Sequence, residues 1–123
     1  MVKYPSMRAE VIETLKYLSD IEYQREAWVN HNFPEGIEFD CFDNSVHLLL
    51  EDLSLVKAPE RALGTVLENQ EELDAVRHVA VAIDNVLKVH GTDLSDAEYI
   101  ATPEWSNVLS TAAKALRVLE KPD

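Results

Sequence analysis

The chain has 123 residues, 46% of them hydrophobic, and 23 Asp plus Glu against 11 Lys plus Arg give a formal net charge of −12. That length and apolar content predict one ordinary domain over residues 1–123 and exclude both a second core and intrinsic disorder. The acidic surplus excludes a nucleic-acid-binding surface, because such affinity comes largely from Lys and Arg neutralising phosphates.

No apolar run approaches the ~20 residues that span a bilayer, and Met1-Val2-Lys3-Tyr4-Pro5 lacks the apolar core of a signal peptide. A single cysteine, Cys41, cannot form an intramolecular bridge. A cytoplasmic location is therefore expected, with no membrane partner. The charge is also uneven: residues 35–74 hold 11 acidic and 2 basic side chains.

The first helix is predicted from Pro5, a residue suited to the first helical position, to about Leu18. Met7, Val11, Leu15 and Leu18 recur at helical spacing beside Ile12, while Glu10, Glu13 and Lys16 face water. Ser19-Asp20-Ile21-Glu22 has the form of a capping box, opening a second helix over about 20–30 that carries Tyr23, Gln24, Ala27 and Trp28. His31-Asn32-Phe33-Pro34-Glu35-Gly36 breaks the chain. Ile37-Glu38-Phe39 alternates, but no partner strand is visible, so it is read as a short extended piece.

Asp40 or Asp43 can cap a third helix that reaches about Leu53, with Phe42, Val46, Leu49 and Leu53 as its main stripe. Leu48 and Leu50 widen that stripe, which predicts a helix in the middle of a bundle. In residues 54–68, Ala58-Pro59-Glu60 opens a short helix that Gly64 ends. Asn69 then caps a long helix with Glu71 and Glu72 in its first turn. It ends at His90 before Gly91 and buries Leu73, Val76, Ala80, Ile83 and Leu87, with Val79 and Val86 alongside. Ser95-Asp96-Ala97-Glu98 is a second capping box, for a one-turn helix. Thr102-Pro103-Glu104 opens the last helix, whose apolar face holds Trp105, Val108, Leu109, Ala112, Leu116 and Leu119. These signals agree on an all-α single-domain bundle of about five main helices with one or two short extra ones.

Catalytic signatures are sparse. Asp43, His47 and Glu51 stand at i, i+4 and i+8 on one helical face, and Asp74 and His78 repeat the i, i+4 step. A carboxylate and an imidazole four apart can share zinc or iron. The paired E-x-x-H motifs of a di-iron bundle are missing, so a solvated or partner-facing edge is favoured and no metal is expected. There is no G-x-S-x-G elbow. Glycines at 36, 64 and 91 cannot build a phosphate loop. Cys41, beside Phe42, is expected to be a buried, inert thiol. No catalytic residue and no cofactor is assigned. Trp28 and Trp105 are placed in the core, with Trp105 the more exposed of the two.

The order Gln24…Trp28, Asp43…His47-Leu48-Leu49…Glu51-Asp52, Gly64, Glu71-Glu72 and Pro103-Glu104-Trp105 with Val108 resembles a group of small acidic all-α proteins common in actinobacteria. That group is similar to the immunity proteins of polymorphic toxin systems. Its members often carry Asp-Asp where this chain has Glu51-Asp52. The resemblance covers most of the chain and implies a protein that binds and neutralises a toxin, with no catalytic residue to carry over.

Charge and resemblance together predict a protein partner, a basic toxin, held by Asp40, Asp43, Glu51, Asp52, Glu68, Glu71 and Glu72. The alternatives are a structural or regulatory module that associates with itself into a homo-oligomer, and a metal-dependent enzyme centred on Asp43, His47 and Glu51.

Overall fold

A computed structural model describes residues 2–121. Its elements are α1 (Pro5–Leu18), α2 (Ile21–Tyr23) running on as a π-helical segment (Gln24–Val29), α3 (Phe42–Val46) running on as a second π segment (His47–Asp52), a 3-10 turn (Pro59–Ala62), α4 (Gln70–His90), α5 (Asp96–Ile100) and α6 (Trp105–Glu120). Among the described residues there is no strand, only an isolated bridge between Leu63 and Leu67. The fold is all-α, as the periodicity predicts.

The centre belongs to α4 and α6, with α1 packed against α6. The α4 seam of Leu73, Val76, Val79, Ala80, Ile83 and Val86 is buried with Val108, Ala112, Ala115 and Leu119 of α6 and Val11, Leu15 and Leu18 of α1. The 42–52 segment therefore does not occupy the middle, because Asp43, Asn44, His47, Glu51 and Asp52 lie open to solvent. Its buried set also differs from the α-helical stripe: Phe42, Ser45, Leu48, Leu49 and Leu53 go inward, while Val46 and Leu50 are half-buried. A wider turn explains this. Leu53 N–H donates to Leu48 O five residues back at 3.0 Å, and each such turn rotates the following side chains away from α-helical register.

Both π segments end the same way. Asn30 N–H and Asn32 N–H donate to Arg25 O and Glu26 O at 3.0 and 2.7 Å; Leu53 N–H and Leu55 N–H donate to Leu48 O and Leu49 O at 3.0 and 3.1 Å. The residue between each pair of donors is left-handed, His31 at φ 58° and Ser54 at φ 49°.

The caps match the sequence at Asn69, whose Oδ1 accepts from Glu72 N–H at 2.9 Å, and at Ser95, which forms the full capping box with Glu98. Elsewhere they differ. Asp20 rather than Ser19 caps α2, accepting from Tyr23 N–H at 3.1 Å. Ser19 keeps a helical backbone, so its hydroxyl donates back to Lys16 O instead. Neither Asp40 nor Asp43 caps α3; the Phe42 amide donates to Asp96, across the fold, at 3.1 Å. α6 starts at Trp105 rather than Thr102, whose hydroxyl donates to Tyr99 O at 2.8 Å.

An aromatic node ties the short elements to the core. Phe42 lies 5.0 Å from both Trp105 and Tyr99, and Trp28 meets Trp105 edge-on at 6.1 Å, geometries that aromatic quadrupoles favour. Trp105 is 1% exposed and Trp28 2%, so both are core residues and the expected extra exposure of Trp105 is absent. Gln24, fully buried, accepts from Trp105 Nε1 at 2.9 Å and donates to Tyr17 O at 2.8 Å. Cys41 is half-buried rather than buried, and burial pushes its thiol up.

Candidate functional site

The seven acids assigned to a partner surface do not share one role. Glu72 is turned inward: its carboxylate takes Arg8 Nη1 and Nη2 at 2.6 and 2.9 Å and the Glu68 amide at 2.8 Å. Burial alone would raise this carboxyl, but Arg8 and the Glu68 amide outweigh it and hold the group below its ordinary range. Asp40 accepts from Tyr23 Oη at 2.7 Å, Trp28 Nε1 at 2.9 Å and Asn44 Nδ2 at 3.1 Å. Glu72 is thus removed from any partner surface, and Asp40 is largely committed to holding the aromatic node.

Glu68 and Glu71 stand at the start of α4 among basic neighbours. Glu71 and Asp74 line a groove of about 540 Å³ between α4 and α6 that also holds His78, Lys114, Arg117 and Lys121. Glu68 shares an adjoining hollow with Arg8 and Lys121. This lobe of acidity is compensated by bases from α1 and α6.

The other lobe is not. A groove of about 480 Å³ between α1 and the 40–52 segment is lined by Glu10, Glu13, Tyr17, Asp40, His47 and Asp52, and no Lys or Arg lines it. Along its outer edge His47 is bracketed, Nδ1 at 2.5 Å from Glu51 and Nε2 at 3.1 Å from Asp43. The Glu51 hydrogen bond, then the charges of Glu51 and Asp43, raise this imidazole above its usual value. Both ring nitrogens face carboxylates, and among the described residues no group of three or more His, Cys, Asp or Glu is arranged to hold a metal ion. At the inner end Tyr17 and Tyr23 stack with centroids 4.0 Å apart. Burial and a hydrogen bond to Glu13 push the Tyr17 phenol up to about 12; burial and the bond to Asp40 raise Tyr23 as well.

Asp43 and Glu51 also border a third hollow, with Asp96 and Tyr99. Asp96 is raised by burial, with the nearby charges of Asp40 and Asp43 adding to it. The predicted acids therefore divide between a compensated lobe at Glu68 and Glu71, which Asp74 joins, and an uncompensated one around Asp43, Glu51 and Asp52.

Glu10 and Glu13 join the uncompensated lobe and escape a reading confined to residues 35–74. Their i, i+3 spacing with Tyr17 four residues on marks one helical face, but no local signal tells which later segment that face meets.

No helix of the described residues is long and apolar enough to cross a membrane. No curated protein and no solved structure matches the chain. One family profile does, over residues 2–123, and on that match the chain belongs to the family described as a domain of unknown function, DUF7945.

Proposed function

We propose that this chain is a protein-binding domain of the immunity type, which receives a basic partner in the groove formed by Glu10, Glu13, Asp40 and Asp52. One observation carries the reading: of the two acidic lobes, this one has no Lys or Arg among its lining residues, whereas Lys114, Arg117 and Lys121 line the groove beside Glu71 and Asp74. Uncompensated charge in a concave surface focuses the field and accelerates capture of an opposite charge. Affinity then rests on a few well-desolvated anchors, with the acids setting rate and choice of partner. The resemblance to immunity proteins supplies the class of partner, a basic toxin, and we take the encounter to occur in the cytoplasm.

The test is the association rate, followed against ionic strength, between this chain and the product of the neighbouring gene, which this reading expects to be basic. Reversal at Glu10 and Glu13 together should slow association about tenfold or more at low salt. Reversal at Glu71 and Asp74 should change it little. Failure of the two proteins to associate, or equal rates for both reversed variants, sinks the reading.

A further inference from the structure

Beyond the acidic groove, Asp52 also borders a second concavity, of about 310 Å³. Its floor is apolar and comes from four separate places: Met7 of α1, Leu53 just after the π segment, Ala62 of the 3-10 turn, and Val66. Leu53, Ala62 and Val66 are buried, and Tyr4 forms an exposed wall. The N-terminal segment is pinned here, with Lys3 N–H and Tyr4 N–H donating to Gly64 O and Thr65 O at 3.1 and 2.7 Å. Ligand sites commonly occupy about 300–1,000 Å³ with mostly apolar walls and few polar groups. This cup sits at the small end of that range, with room for about ten waters at ~30 Å³ each.

Two opposite charges line the same cup without meeting. Asp52 and Arg61 both line it, yet neither forms an ion pair with any described residue. Arg61 is held by its turn: its carbonyl accepts from Thr65 Oγ1 at 2.7 Å, and its amide donates to Ala58 O at 3.2 Å. Ser54, also lining the cup, is the left-handed residue at φ 49°. Non-glycine residues held in that region are strained and gather at ligand sites.

We propose that this cup binds a free α-amino acid with an apolar side chain, its ammonium on Asp52, its carboxylate on Arg61 and its side chain on Met7, Leu53 and Val66. The guanidinium fork matches a carboxylate in a way an ammonium cannot. Asp52 and Arg61 are both exposed; an uncharged apolar molecule would gain from neither charge, and a simple anion or cation from only one. A zwitterion with an apolar side chain satisfies all three surfaces. The cup shares Asp52 with the acidic groove, but Arg61 does not line that groove, so Arg61 distinguishes the two sites.

The experiment is an amide-resolved NMR titration of the full chain with L-phenylalanine and L-leucine, alongside phenylalaninamide and N-acetylphenylalanine, each lacking one charge. Saturable shifts should cluster at Met7, Leu53, Ser54 and Val66, and each single-charge analogue should bind about tenfold more weakly. Arg61→Gln should erase the preference for phenylalanine over its amide, and Asp52→Asn the preference over the N-acetyl form. Arg61→Gln should leave association with the basic partner unchanged, so the two proposals fail separately. Thr65→Trp, which fills the cup, should abolish the shifts in a chain whose remaining spectrum is intact. Absence of saturable shifts at millimolar amino acid, equal binding of the analogues, or an Arg61→Gln variant that discriminates as the parent does overturns the proposal.

Discussion

Glu72 shows how a carboxylate counted as surface charge can be structural. Its side chain is 6% exposed, against 16% for its partner Arg8, and it joins the first turn of α4 to α1. Glu72→Gln removes the carboxylate that Arg8 grips, while Arg8 keeps its bond to Val66 O and some contact with water, so the change should cost about 1–3 kcal/mol in urea denaturation at neutral pH. Because the folded carboxyl is held below its ordinary 4.5, its contribution is complete above about that pH and is lost as pH falls through the folded value. The variant should therefore lose less stability than the parent on acidification below pH 4.5. His47 has the opposite sign. Its imidazole is raised above 6.5 by Glu51 and Asp43, so its contribution is complete below that value and fades as pH rises through the folded one. A ring-proton NMR titration should find a midpoint above 6.5, falling toward it in Glu51→Gln. A midpoint unmoved by that change would show the bracket to be without electrostatic effect.

Among the elements, the two π segments are the least ordinary. Each ends on a left-handed residue that is not glycine, His31 or Ser54, where a Cβ crowds the neighbouring carbonyl at about 1–2 kcal/mol. Glycine at either position should raise stability by about 1 kcal/mol in urea denaturation. In Ser54→Gly that gain would come inside the proposed amino-acid cup, where strain and binding are coupled. These segments also mark where sequence reasoning stops. α1, α4 and α6 were legible from apolar spacing and from the Pro5, Asn69 and Gly91 boundaries, because those signals are local. The π turns carry no local signature: Leu48 and Leu49 have the same residue types in either register, and the neighbours differ, α4 for the 47–52 segment and α5 for the 24–29 segment. The Phe42 amide was equally illegible, since its acceptor Asp96 is 54 residues away. The acidic groove was half legible. Its 40–52 side showed as a charge cluster, while Glu10 and Glu13 read only as the wet face of α1.

At the scale of the molecule, a formal charge of −12 on 123 residues opposes compactness through self-repulsion. Among the described residues, Lys or Arg pairs with an acid only at Glu22, Glu72 and Asp84, so most of that repulsion is unrelieved. Raising sodium chloride from about 0.05 to about 0.5 M shortens the screening length severalfold and should lift the melting temperature by a few degrees. A melting temperature that fell across that range would mean that attractive pairs outweigh the repulsion. The same salt should slow capture of a basic partner, so the conditions that best preserve the isolated chain are those in which it meets that partner slowest.

The aromatic node has a spectroscopic consequence. The chain's two tryptophans are both buried in it, their indole N–H groups fixed on Asp40 and Gln24. Tryptophan fluorescence and the indole bands of the near-ultraviolet dichroism therefore report one place, the junction of the 24–29 segment, α3 and α6. Their signal should follow global unfolding closely, while a molecule entering the cup beside Arg61 should pass without changing the indole emission.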